Sequence, residues 1–409
     1  MTAPPRAPDH PAGPPVLERH PLTWVRKNLF STPLDIILTV LFGGLIVAAL
    51  VWLTRYLLSA DPTILRVNLA NLMVGRFPRD QLWRPGTAAV MLGFVVGGGI
   101  GLFSALPGAE APSTPSGPAN ILRRFWPLLA FVVLVLSLTE TITPWFVALG
   151  TIAAGVVGYL ARRAVPQNGR RRAWAVLAVV FAGAYVVLSG GGVGWNQWGG
   201  LHLNLFLTVA GILLAFPFGL LLALGRRSTF PAIRTASIGY IEFIRGVPLI
   251  TLLLLGAFAL GFFLPDTLSP GRITRILIAI ALFEAAYIAE VVRGGFNAVP
   301  KGQVEASQAL GMPPWKTTRL IVLPQALRAT IPAMVGQFIS LYKDTTLVVV
   351  VGLLDILSAS QAANSQPEFL AQGLHRITLP FVGLAFWVGS YTMSREARRL
   401  ERKLGVGER

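Results

Sequence analysis

Stretches of about 20 residues with almost no charge recur along nearly the whole chain, and that pattern limits the fold more than any other feature. A helix that crosses a bilayer needs about 20 largely apolar residues. Ten stretches come close: 36–58, 87–105, 121–138, 144–162, 173–190, 203–224, 246–265, 272–292, 329–352 and 376–393. Charged residues make up only 13% of the 409 residues, against about 25% in soluble domains, while 54% are hydrophobic. A soluble protein of this size could not cover its surface with so few charges. The sequence predicts an all-α integral membrane protein with about ten transmembrane helices.

The distribution of Lys and Arg sets an orientation, because loops rich in them stay in the cytoplasm. With the N-terminus inside, the cytoplasmic segments collect most of the 35, notably at Arg123–Arg124, Arg162–Arg172, Arg226–Arg245, Arg293–Arg328 and from Arg395 onward. Segments 191–202 and 353–375 hold none and are expected outside. The outer loop 59–86 breaks the pattern with Arg66, Arg76, Arg79 and Arg84, so either it folds against the headgroups or the first two spans are misread. Residues 1–35 are polar and Pro-rich and read as a disordered cytoplasmic tail rather than a signal peptide. Residues 395–409 read as a basic cytoplasmic tail, so both termini are expected inside. The net charge of +17 lies between apolar stretches rather than on one soluble face, which argues against nucleic-acid binding.

A seam falls near residue 195. Five spans (36–190) precede it with few polar residues. A neutral linker (191–202) follows, with Trp195 and Trp198 expected as interfacial anchors. The polar features lie mainly in 203–394. No GxxxxGK[ST] loop occurs, so the chain lacks an ATPase site of that kind. It has no cysteine, which removes disulfides, thiolate metal sites and a cysteine nucleophile. Its four histidines (His10, His20, His202, His375) have no zinc-binding spacing, and no metal site is expected.

Charges at membrane depth are functional candidates. Glu242 with Arg245, and Glu290 with Arg293, lie three apart and share helix faces, so each pair reads as an ion pair, structural or functional. Glu284 is mid-span with no basic residue at helical spacing. An interhelical hydrogen bond and a solute role both fit it. Lys343 and Asp344 interrupt an apolar run and point about 100° apart on a helix. The span is therefore expected to bend or unwind there, with Thr345 and Thr346 satisfying freed backbone groups; structure and solute pathway both remain open.

Between the eighth and ninth spans runs VPKGQVEASQALGMPPWKTTRLIVLPQA, residues 299–326. Pro300 suits a helix start, and Gly311 suits the left-handed position past a helix end. Pro313–Pro314 restart the chain into a second short helix, which Pro324 is expected to limit. The reading is a helical hairpin on the cytoplasmic membrane surface.

Glu305, Ala306, Gly311, Ile321, Leu323 and Pro324 match the spacing of the EAA loop that carries the coupling helices of ABC-importer permeases, with Ser307 where an alanine is usual. EFIRGVPLI (residues 242–250, with Pro248), YIAEVVRGGF (287–296), PKGQ (300–303), LPQA (323–326) and KDTTL (343–347) resemble the polar amino-acid importer permeases. The resemblance covers about residues 199–394. The additional spans, the linker and ALGRRS (223–228) are similar to the M-type permease subunit of general L-amino-acid importers. What the resemblance implies is a five-helix type I permease core that moves L-amino acids inward across the bacterial inner membrane by alternating access. It also implies a dimer of ATPases holding ATP and Mg, a second permease subunit, a substrate-binding protein, and no cofactor in this chain. Two other classes are weighed: an ion-coupled secondary transporter built on Glu284, Lys343 and Asp344, and a membrane enzyme. The first leaves the hairpin unexplained; the second lacks any recognisable catalytic constellation.

Overall fold

The structure, a computed structural model, describes residues 24–25, 28–59, 62–104, 118–161, 164–166, 169–190, 193–194, 197–259, 263, 270–370 and 377–403. Most of the expected N-terminal tail, Trp195, His375 and the end of the basic tail lie outside these residues. Two compact units divide the chain at Ala60 and Asp61. The first contains α1 (Pro33–Leu58), started by a capping box in which Asp35 N–H donates to Thr32 Oγ1 at 3.2 Å and Thr32 N–H donates to Asp35 Oδ2 at 3.0 Å. Pro33 occupies the first turn, where its missing N–H costs nothing. Its apolar residues point in every direction, as suits a lipid-surrounded span.

The second unit, by itself, begins with α2 (Thr63–Val74), followed by α3 (Trp83–Ser104), α4 (Pro118–Ser137), α5 (Thr143–Ala161) and α6 (Arg170–Ser189). Then come α7 (Gly200–Arg226), α8 (Pro231–Gly246), α9 (Leu249–Leu254) with a π turn at Leu255–Ala259, and α10 (Arg272–Ala298). The hairpin helices are α11 (Lys301–Ala309) and α12 (Pro314–Thr317). A π turn at Thr318–Val322 leads into α13 (Leu323–Asp344), and a 3₁₀ segment follows at Thr345–Val351. Last are α14 (Ile356–Asn364), α15 (Pro367–Leu370) and α16 (Thr378–Lys403). Among the described residues there is no strand, only an isolated bridge between Gly200 and Asp355.

Among the described residues six helices are long and apolar enough to cross a membrane, and α8 with α9 forms a further pair bent by 101°. Three more expected spans correspond to α4, α10 and α16, of 20, 27 and 26 residues. Two expectations change. The stretch 59–86, expected as an outer loop, contains a helix: Ile64, Leu65, Asn68, Leu69 and Leu72 form the buried face of α2. That face packs on α14 and α7. Trp198 is no interfacial anchor either; it is 2% exposed and stacks on His202 at 4.9 Å between ring centroids.

Close backbone approach holds α3 to α5. A Cβ on Gly97 would lie 1.9 Å from the Gly155 carbonyl oxygen, and one on Gly158 would lie 2.3 Å from that of Phe94. In lipid, where apolar burial drives little helix association, small residues permit the dispersion contacts that do. The core proper is α7 packed along α10, with α13 against both. At 27 residues α10 spans about 40 Å, so it carries side chains at both ends of the core.

Candidate functional site

At one end of α10 the chain turns into the hairpin. The α11 helix closes with the two hydrogen bonds of a Schellman motif: Gly311 N–H donates to Gln308 O at 2.9 Å and Met312 N–H to Ser307 O at 3.0 Å. Gly311 has φ +72°, the left-handed conformation that the motif needs, with open space around its Cα. Pro313 is extended, and Pro314 starts α12 in its first turn. Ser307, 1% exposed, and Thr317, 3% exposed, join the two limbs through their hydroxyls at 2.9 Å. The serine at the expected alanine position is thus a specific bridge, and sequence reading treated it as merely small.

Pro324 does not end the second limb. The helix continues through it into α13, and the π turn at Thr318–Val322 lies immediately ahead of it. A proline lacks the N–H that an α-helix would use four residues back, and the wider π turn absorbs that missing bond. Val322 is buried in a cluster with Ile288, Val292, Phe296 and Ala326, which ties the hairpin to α10. Gly295 lets the two elements meet, since a Cβ there would come 2.5 Å from Ala326 O. Ile321 and Leu323 are half-buried, while Glu305, Ala306 and Pro324 are exposed. Leu310, Trp315 and Leu320, at 81%, 60% and 61% exposure, give the hairpin an apolar outer face.

Beside the hairpin lies a charge cluster that differs from the two expected ion pairs. Glu290 does bond Arg293, three residues on. Glu242 instead meets Arg226 at 3.3 Å, and Arg245 meets Glu290 at 3.8 Å. Arg226 also reaches Glu290 at 3.3 Å. Glu290 therefore gathers three guanidiniums from α7, α8 and α10. The Glu242–Arg245 pair does not form because each residue finds a nearer partner on another helix, and Arg226, the hub's third cation, escaped the intrahelical spacing rule. Pro248 sits at the bend that turns α8 into α9.

Deeper in the core, Glu284 is 1% exposed, with Gln337 and Asp344 facing it. Its Oε1 is buried without a hydrogen-bond partner. Lys343 is exposed and Asp344 half-buried, so the neighbouring charges diverge as their spacing requires. The α-helix ends at Asp344 and tightens into the 3₁₀ segment. Thr345 Oγ1 donates to Tyr342 O at 2.7 Å and Thr346 Oγ1 to Lys343 O at 2.8 Å, the backbone capping expected of them.

A second polar joint had no counterpart in the sequence reading. Asn204 is fully buried on α7; its Nδ2 donates to Thr345 Oγ1 at 3.1 Å and to Asp355 Oδ2 at 3.4 Å. Its Oδ1 accepts from Ile356 N–H at 3.1 Å. Asp355, also fully buried, caps α14 by accepting from Ser358 N–H at 2.8 Å. An asparagine within an apolar span was the available signal. The arrangement offers a rigid exposed hairpin at one end of the core, a polar line through its interior, and a capped joint at the other end.

A family model described as "Binding-protein-dependent transport system inner membrane component" matches residues 215–406. The inner membrane amino-acid ABC transporter permease protein YhdY of Escherichia coli is 34% identical, covering 94% of this chain and 94% of its own. The glutamate/glutamine/aspartate/asparagine transport system permease protein BztC of Rhodobacter capsulatus is 35% identical, covering 95% of each. The probable glutamine ABC transporter permease protein GlnP of Bacillus subtilis is 34% identical and matches 50% of this chain with 91% of its own length.

Proposed function

We propose, for a chain that belongs to the binding-protein-dependent transport system inner membrane components and is a permease subunit of an ABC amino-acid importer, that the hairpin from Lys301 to Val322 is the element through which a separate ATPase drives transport. The single observation that carries this reading is a hairpin both rigid and exposed. Its Schellman closure and its Ser307–Thr317 bridge resist bending, Val322 fixes its base, and Leu310, Trp315 and Leu320 face outward with Glu305. A push on that face is passed to α10 and α13, and from there to Glu284, Gln337 and Asp344. The helices then rock between inward- and outward-open states, the usual motion of packed bundles around a fixed site.

In this reading the ATPase dimer holds ATP and Mg, a second permease completes the pathway, and a binding protein delivers an L-amino acid. Both termini and the hairpin face the cytoplasm. Residues 203–394 form the permease core, and the preceding spans are an addition to it; relatives of about half this length, such as GlnP, support that division. An ion-coupled mechanism has no support, since the relatives are ABC permeases. Affinity purification in mild detergent tests the assembly: the ATPase and a second permease copurify with the wild type. Trp315→Glu, at the exposed centre of the hairpin, loses the ATPase and keeps the second permease. Retention of the ATPase by Trp315→Glu contradicts the docking role.

A further inference from the structure

Four arginines in 59–86 run against the charge bias that orients the rest of the chain, and two have structural uses. Arg79 donates to Asn71 Oδ1 at 2.6 Å and Gly75 O at 3.1 Å, and Arg84 donates to Val187 O at 3.1 Å. Arg76 has no hydrogen-bond or ion-pair partner among the described residues. It lines a pocket of about 540 Å³ together with Arg272, at the end of α10 opposite the coupling hairpin. Trp198, Ile273, Val349 and Ser358 contribute to the wall. That volume lies in the range of small-molecule sites, and the wall mixes apolar side chains with two guanidiniums and a hydroxyl.

The Arg272 guanidinium is held by an aromatic face, whereas Arg76 is exposed on an anchored backbone. Arg272 sits over the Phe258 ring, 5.5 Å from its centroid, and its Nη1 would lie 3.7 Å from a Cβ at Gly352. Gly352, at φ +73°, turns the backbone beside it. Arg76 follows Gly75, which has φ +63° and lies so close to the core that a Cβ would be 2.3 Å from Gly199 Cα. The turn after α2 thus presents Arg76 from a fixed backbone junction. Among the described lining residues there is no carboxylate. A side-chain ammonium gains no ion-pair partner from those residues, whereas a side-chain carboxylate gains charge-assisted bonds from the guanidiniums, the strong class of hydrogen bond.

We propose that this pocket, shared by the N-terminal extension through Arg76 and the core through Arg272, is a receiving site for a dicarboxylic amino acid at the outer mouth of the permease. The inference rests on the importer reading above and adds a substrate class to it. It also gives Arg76 a use on the translocated side, where the positive-inside bias disfavours it.

Equilibrium binding of radiolabelled L-glutamate to the full-length permease in nanodiscs, with L-lysine as comparator and no binding protein present, tests it. Glutamate binds the wild type and lysine does not. Arg76→Gln and Arg272→Gln each raise the glutamate Kd by about tenfold or more, as loss of a charge-assisted bond should. Arg76→Lys retains part of the affinity, and Arg66→Gln, an exposed neighbour outside the pocket, leaves Kd unaltered. Melting temperatures of the variants separate lost binding from lost folding. The proposal is overturned if wild type does not bind glutamate, or if well-folded Arg76→Gln and Arg272→Gln bind it normally. It is equally overturned if those variants lose only affinity for the binding protein, which would make the arginines a protein contact. Uptake and ATPase assays on the assembled transporter report separately on the importer reading, which survives any of these failures.

Discussion

Asn204 and Ser307 show how much rests on single polar side chains in an apolar chain. Asn204 satisfies Thr345, Asp355 and the Ile356 amide at once. Asn204→Leu therefore leaves the buried Asp355 Oδ2 and Ile356 N–H without this partner, each at about 1–3 kcal/mol. A large drop in the melting temperature of the purified permease is expected, and a variant as stable as wild type would show that the joint contributes nothing. Ser307→Ala removes the bridge to Thr317 while keeping the small volume. It should leave insertion intact and make the hairpin amides exchange hydrogen faster; unchanged exchange would mean the Schellman turn alone suffices. The sequence exposed Glu284, Lys343 and Asp344, because a charge in an apolar run is conspicuous. It hid the partners. Gln337 and Asn204 are uncharged, and Arg226 meets Glu242 and Glu290 only after three helices come together.

At the scale of elements, periodicity and punctuation carried far. Gly311 and Pro313–Pro314 announced the hairpin, and Pro300 its start. The unwinding after Asp344 followed from adjacent charges that cannot share a face. Pro324 misled, because a local rule about proline cannot see that a π turn ahead of it keeps the helix going. The α2 helix was missed for a different reason. Its buried face becomes apolar burial only against α14 and α7, and Asn68 is matched by Gln366, nearly three hundred residues away, through reciprocal amide bonds of 3.0 and 2.9 Å. The α3–α5 contact yields a paired test. Gly97→Val places side-chain atoms into the Gly155 backbone, whereas Gly99 has nothing within 4 Å of a built Cβ. Overpacking costs about 1–3 kcal/mol and more where backbone cannot move. Gly97→Val should fail to accumulate in the membrane while Gly99→Val reaches wild-type levels. Equal accumulation of the two would contradict tight packing in the extension.

For the whole molecule, α10 and α13 link, in the proposed orientation, a cytoplasmic hairpin to an outer joint. Orientation is testable with single cysteines, since the chain has none of its own. Gln361 on α14 is exposed, whereas its neighbour Ser360 is fully buried, so Gln361→Cys is the informative site. It should react with an impermeant maleimide on intact cells, and Gln308→Cys on the hairpin only after permeabilisation; the reverse pattern inverts the topology. The central claim is mechanical coupling through a hairpin whose shape depends on Gly311. A β-branched residue at φ +72° is a genuine outlier, and holding it there costs about 1–3 kcal/mol. The most direct measurement is amino-acid uptake per ATP hydrolysed by the reconstituted transporter carrying Gly311→Val. The account predicts that the variant inserts and assembles its membrane subunits normally, yet uptake per ATP falls at least severalfold or the ATPase no longer binds. Wild-type uptake per ATP at normal expression would contradict it.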